Sequence, residues 1–136
     1  MIRTYVFDAN ALLDLVDGGP GAHRVRDLLR EALHQRSVIV VSVLNWGEVF
    51  YHLWQKLGGQ HANEVLGSLS RLPLQLMPVD LSQSLKAGEI KALHKIPYVD
   101  CIAAALAELH GATLVTSDRD FEKLGRRVRV LWLARP

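Results

Sequence analysis

The stretch Ile96–Leu124, IPYVDCIAAALAELHGATLVTSDRDFEKL, carries most of the information about the fold. Pro97 suits a helix start, where its missing N–H removes a group that would be unpaired anyway. Ala103, Ala104, Ala105 and Ala107 then give residues 98–110 high helix propensity. His110-Gly111 closes that helix with the basic residue and the glycine that helix ends favour. Thr113 to Thr116 reads as a strand and Asp120 to Leu124 as a short helix. Working outward, a last strand covers Val128 to Trp132, and a helix over Ser82 to His94 precedes the stretch, weakened by Gly88. Before that lie a strand near Leu74 to Val79, a helix over 61–71, and a helix whose Trp46, Val49, Phe50, Leu53, Trp54 and Leu57 recur at helical spacing until Gly58-Gly59. Val38 to Val41 is a strand of β-branched residues, apolar on both sides. Residues 22–35 carry a helical stripe, Ala9 to Val16 is helical up to the breaker at 17–21, and Ile2 to Phe7 is a first strand. Strands that are apolar on both sides and alternate with helices predict an α/β fold, a parallel sheet covered by helices on both faces.

Composition fits one such unit. The 136 residues are 49% hydrophobic and 22% charged, too apolar for a disordered chain. No repeat, linker or low-complexity tract divides them, so residues 1–136 are expected to form a single domain. The one cysteine, Cys101, excludes a disulfide framework and a multi-thiolate zinc site; it reads as a small buried filler. No apolar run approaches the ~18 residues of a membrane span, and MIRTYVFD lacks the features of a signal peptide, so a cytoplasmic protein is expected, with no membrane partner. The net charge of +2 does not announce a nucleic-acid binder, although residues 23–36 and 119–136 are locally basic. The six histidines are scattered without ligand spacing and read as surface residues.

The acidic residues are more telling. Asp8 follows the first strand directly, and Asp118 follows the Thr113–Thr116 strand by two residues. Glu48 is expected in the first turn of the helix after Val38–Val41, and Asp100 in the first turn of the helix that returns to Thr113. In a parallel sheet, all four positions fall on the carboxyl edge, where open α/β folds bind ligands. Like charges gathered there repel unless a cation joins them, and carboxylates suit a hard cation. Each acid also has a local reading. Asp8 or Asn10 can cap the first helix, Asn45 and Glu48 have capping-box spacing, Asp100 suits a helix dipole, and Ser117 or Asp118 can cap the short helix at Asp120. Capping does not require a common edge, however, and these residues share one.

Three stretches resemble a known family. YVFDANALLDL (residues 5–15) is similar to the opening motif of PIN-domain nucleases, SVLNWGEVFYHL (42–53) to their second motif, and residues 96–124 to their third and fourth. The ordered set spans essentially the whole chain, and short members of this kind resemble VapC-type toxins of toxin–antitoxin pairs. The resemblance implies a three-layer α/β/α PIN-like domain with a mainly parallel sheet. It makes Asp8, Glu48, Asp100 and Asp118 the catalytic, metal-binding set, with Asn10 and Thr116 as supports and Asp120 as an auxiliary carboxylate. It further implies a homodimer, a cognate antitoxin that fills the active groove, and RNA products with 5′-phosphate and 3′-hydroxyl ends. Residues 58–95 carry the least specific part of the resemblance.

The function expected is therefore a Mg²⁺- or Mn²⁺-dependent endoribonuclease, with Arg119, Arg126, Arg127 and Arg129 positioning the RNA backbone. One alternative is a phosphohydrolase of the haloacid-dehalogenase kind with Asp8 as nucleophile. Asn10 stands where such enzymes want a second aspartate, and no lysine is well placed before the late acidic motif. For a receiver domain only Asp80 approaches the phosphoacceptor position. A non-catalytic module that binds RNA or a partner is the third alternative, and the intact set of four acids argues against it. The aromatic residues of the helix 46–57, with the helix around 61–71, are expected to supply the dimer interface.

Overall fold

The structure, a computed structural model, describes residues 2–134. Arg135, part of the basic C-terminal stretch, lies outside the described residues. The elements follow in the order β1 (Arg3–Phe7), α1 (Ala9–Asp17), α2 (Ala22–Leu33), β2 (Ser37–Ser42), α3 (Val43–Leu57), α4 (Gly59–Leu69), β3 (Gln75–Met77), α5 (Leu81–Leu93), α6 (Tyr98–Leu109), β4 (Thr113–Thr116), a 3-10 stretch Arg119–Arg127 broken at Gly125, and β5 (Arg129–Trp132). The sheet has five strands in the order β3-β2-β1-β4-β5, and every pairing is parallel.

Register sorts the side chains into two cores. Val6, Val40 and Leu114 are register partners, so they share one face and pack against α5 and α6. Tyr5, Phe7, Ile39, Val41 and Val115 point the other way, toward α1, α2, α3 and α4. The result is the α/β/α layering that the alternation predicts. Helix α6 is buried nearly all round: Cys101 through Ala107 are each 2% exposed or less. Its alanines let the helix axis sit close to β1, β2 and β4, which holds its first turn against the carboxyl edge of the sheet. Cys101 is buried in this core, in keeping with a filler role.

One boundary differs in a way that matters for the site. Helix α3 starts at Val43, capped by Ser42, whose Oγ accepts from the Leu44 N–H at 3.2 Å. Glu48 is therefore in the second turn, and the capping-box reading of Asn45 and Glu48 does not hold. Val43 and Leu44 are first-turn residues, 39% and 42% exposed.

Candidate active site

The strand order reverses at β1. Successive strands run outward from it through β2 to β3 on one side and through β4 to β5 on the other. Connections leaving β1 and β4 part at that point and open a crevice at the carboxyl edge. Asp8 and Asp118 sit on its two sides, each just past the end of its strand.

Asp8 is 3% exposed and is the N-cap of α1, where its Oδ1 accepts from the Ala11 N–H at 3.1 Å. Its Oδ2 accepts a short hydrogen bond from the hydroxyl of Thr116, the last residue of β4. Thr116 Oγ1 in turn accepts from the Asp118 N–H at 3.0 Å, and the Asp118 carboxylate accepts from the Asp120 N–H at 2.9 Å. Capping and site geometry are thus not rivals, because the bonds that cap α1 and the 3-10 stretch also fix where Asp8 and Asp118 point. Asp100 stands in the first turn of α6. Glu48 reaches in from α3, held by the Asn45 side-chain N–H, which donates to Oε1 at 2.8 Å.

These residues meet in a groove of about 360 Å³ whose lining includes Asp8, Asn10, Glu48, Tyr51, Asp100 and Asp118. Asp100, Asp118 and Asp120 each place a carboxylate oxygen within 4.8 Å of the others, so Asp120 stands beside the other two. Every site residue singled out from the sequence lies in the groove, in the cluster, or, for Thr116, beneath it. Asn45 is a positioning residue that sequence reading assigned only to capping. It is 1% exposed, and its Oδ1 has no partner among the described residues. Tyr51, read as interface, forms part of the groove wall. No pattern in the sequence marks either role.

The basic residues separate. Arg119 lies at the groove's end of the sheet, its guanidinium 4.3 Å from the ring centre of Trp132 and 3.6 Å from Glu122. Arg126, Arg127 and Arg129 do not flank the groove. The 3-10 stretch carries the chain back across the sheet, so these three stand at its amino edge, beside Gly111 and Ala112. Asp80 is simply the N-cap of α5 and accepts from the Gln83 N–H at 2.8 Å.

Burial pushes the Asp8 carboxyl from 3.8 up to about 7, against the lowering effect of the Thr116 and Ala11 hydrogen bonds and with added repulsion from Asp118 and Glu48. Asp100 also rises to about 7, chiefly through burial and then through repulsion by Asp118, Asp8, Glu48 and Asp120. Among the described residues, Asp8, Glu48, Asp100 and Asp118 have no ion-pair partner, and Asp120 has only Lys123 at 3.5 Å. The groove is thus lined by hard oxygen donors, with no thiolate or imidazole, and their charges are uncompensated. That donor set fits a divalent cation of the Mg²⁺ or Mn²⁺ kind.

Fold and site together define an α/β protein with a carboxylate-lined groove at the switch point of a parallel sheet. The chain belongs to the PIN domain family, whose model matches residues 5–127. No curated protein matches it by sequence. Among solved structures it is similar to VapBC2 from Rickettsia felis bound to a DNA fragment from their promoter, at TM-score 0.81 and 17% identity over 97% of this chain and 100% of that one. It is also similar to DNA-bound VapBC from Salmonella typhimurium, at TM-score 0.72 and 21% identity over 96% and 98%. A third similar structure is VapC20 of Mycobacterium tuberculosis, a sarcin-ricin loop cleaving toxin, at TM-score 0.70 and 18% identity over 89% and 95%. At such identities the likeness is one of fold. Among the described residues, no helix is long and apolar enough to cross a membrane.

Proposed function

We propose that the chain is a Mg²⁺- or Mn²⁺-dependent endoribonuclease, the toxin of a VapBC-type pair, working as a single domain in the cytoplasm. The observation that carries this reading is the gathering of Asp8, Glu48, Asp100, Asp118 and Asp120 at one sheet edge, the first four without an ion-pair partner among the described residues. Membership of the PIN family and the likeness to VapBC and VapC structures support it. The same likeness supports an antitoxin partner. Trp54 and Leu57, which are 52% and 41% exposed on α3, support the homodimer.

In this reading Asp8, Glu48, Asp100 and Asp118 hold the ion, and Asp120 adds a carboxylate to the Asp100–Asp118 side. A bound divalent ion supplies charge neutralisation at the phosphate oxygens and favours ionisation of an attacking water. Thr116 orients Asp8 and, through the Asp118 N–H, ties the two sides of the crevice together. Asn45 turns Glu48 toward the groove, and Asn10 offers an amide at its wall. The raised carboxyls of Asp8 and Asp100 keep the groove from carrying its full negative charge until a cation enters.

The test is expression in a bacterial host. Induction of the wild type is expected to stop growth and degrade RNA, whereas Asp8→Asn is tolerated. Unchanged growth and intact RNA in the presence of soluble wild-type protein would overturn the toxin assignment.

A further inference from the structure

The edge of the sheet opposite the carboxylates has the reverse charge. The loops that lead into the strands (residues 2, 34–36, 70–74, 110–112 and 125–128), with the first residues of β1 and β5, carry Arg3, Arg36, Arg71, Arg126, Arg127 and Arg129, and no aspartate or glutamate. Arg127 is engaged with Glu108 at 2.9 Å and Glu89 at 2.8 Å. The other five arginines are exposed, and none makes an ion pair among the described residues. A net charge of +2 therefore conceals a molecule with an acidic carboxyl edge and a basic amino edge.

Part of that edge is shaped. A cleft of about 570 Å³ is lined by Ile2, Arg3, Thr4, His110, Thr113 and Arg129, with the Gly111 backbone at its wall. Thr113 is the register partner of both Tyr5 and Arg129, and Arg3 precedes Tyr5 by two residues. Arg3, Thr113 and Arg129 therefore project from one face of the sheet at one end, two guanidiniums flanking a hydroxyl. Arg129 donates to the Gly111 carbonyl at 2.5 Å, and its remaining N–H groups have no partner among the described residues.

We propose that this amino edge binds phosphate groups of the RNA backbone, as a docking site separate from the carboxylate groove. An acidic groove repels a polyanion, and the guanidinium nearest to it, Arg119, is engaged with Trp132 and Glu122. Arginine forks match phosphate oxygens in pairs, and each phosphate neutralised releases counterions. The two edges are separated by the length of a strand, ~17 Å for five residues at ~3.3 Å each, so an RNA of only a few nucleotides engages one edge and a longer one spans both.

The inference rests on the reading that the chain acts on RNA, and its test scores binding without cleavage. Fluorescence anisotropy with a labelled single-stranded RNA of ~20 nucleotides is measured in EDTA from ~50 to ~300 mM salt, where log K falls linearly with log salt. Arg3→Gln/Arg129→Gln is compared with Arg24→Gln/Arg26→Gln, which removes the same charge from the exposed surface of α2; Arg126→Gln, whose side chain makes no ion pair among the described residues, replaces Arg129→Gln if folding suffers. The amino-edge pair is expected to weaken binding about tenfold and to flatten the salt slope by ~1.4, or ~0.7 for each phosphate left without its arginine, while the α2 pair changes both far less. With Mg²⁺ present, KM for the long RNA rises and kcat holds. Equal effects of the two pairs overturn the proposal. So does displacement of the RNA by millimolar inorganic phosphate at constant ionic strength, which would mark a free-phosphate site, or retention of poly-glutamate in preference to RNA, which would mark an acidic protein partner. An inactive chain that still binds RNA through this edge would overturn the ribonuclease reading alone, and an active one that binds RNA independently of the edge would overturn this inference alone.

Discussion

Asp8→Asn should make the metal-free protein more stable at alkaline pH while removing its activity. The Asp8 carboxyl titrates near 7 in the fold against 3.8 in the unfolded chain. As pH rises between those values, the unfolded chain has given up a proton that the folded chain still holds, so the fold loses stability through this window and carries the whole penalty above pH 7. Three pH units at ~1.4 kcal/mol each set an upper limit of about 4 kcal/mol. Asparagine keeps the cap, since its Oδ1 accepts from Ala11 as Asp8 does. It exchanges the Thr116–carboxylate bond for a neutral one, a loss already contained in the rise to about 7, which is net of that bond. The gain is therefore at most about 4 kcal/mol, or roughly 12 °C at ~3 °C per kcal/mol for a chain of this size. The assay is calorimetric or fluorescence melting in EDTA at pH 5 and pH 8, wild type beside variant. The wild type should fall in melting temperature between the two pH values and the variant much less. A variant that melts below wild type at pH 8, with the same pH dependence, would refute the electrostatic account of the site.

Four further outcomes follow from the same geometry. Mg²⁺ should raise the melting temperature of the wild type at pH 8, by about 1.4 kcal/mol of stability at ten times its Kd, and should not raise that of Asp100→Asn. Metal affinity measured by calorimetry should fall as pH drops through 7, because Asp8 and Asp100 must release protons to bind a cation. Thr116→Val removes the hydroxyl that serves both Asp8 and Asp118, and should weaken metal binding by about 10- to 100-fold with the fold retained by circular dichroism. Ala104→Leu inserts bulk into the core around α6 at a fully buried position and should cost about 1–3 kcal/mol in denaturant unfolding.

Much of this fold could be read from the sequence because its local signals agree. The two-sided apolar strand at Val38–Val41 and the alanine-rich α6 both demand burial on both sides, and a parallel sheet between helix layers provides it. The four acids could be read because a position just after a strand, or in the first turn of α6, fixes which edge a side chain reaches whatever the details of packing. Glu48 reaches the same groove from the second turn of α3, because the cap is Ser42 and the helix starts two residues before Asn45. The buried amide of Asn45 could not be read, since its role depends on α3 packing that no spacing encodes. The arginines after Asp120 misled for a physical reason. Nearness in sequence to the site suggests nearness in space, yet the 3-10 stretch Arg119–Arg127 crosses the sheet and leaves Arg126, Arg127 and Arg129 at its far edge.

The most direct test of the central claim, that these carboxylates form a metal-dependent ribonuclease site, is cleavage of RNA by the purified chain. Wild type, Asp100→Asn and Asp118→Asn are incubated with total bacterial RNA in Mg²⁺ or Mn²⁺ and in EDTA, and the products are resolved with their end groups assigned. Discrete fragments bearing 5′-phosphates are expected from the wild type with metal, and none in EDTA or from either variant with metal. Cleavage that persists in EDTA, or at wild-type rate in Asp100→Asn, would contradict the claim.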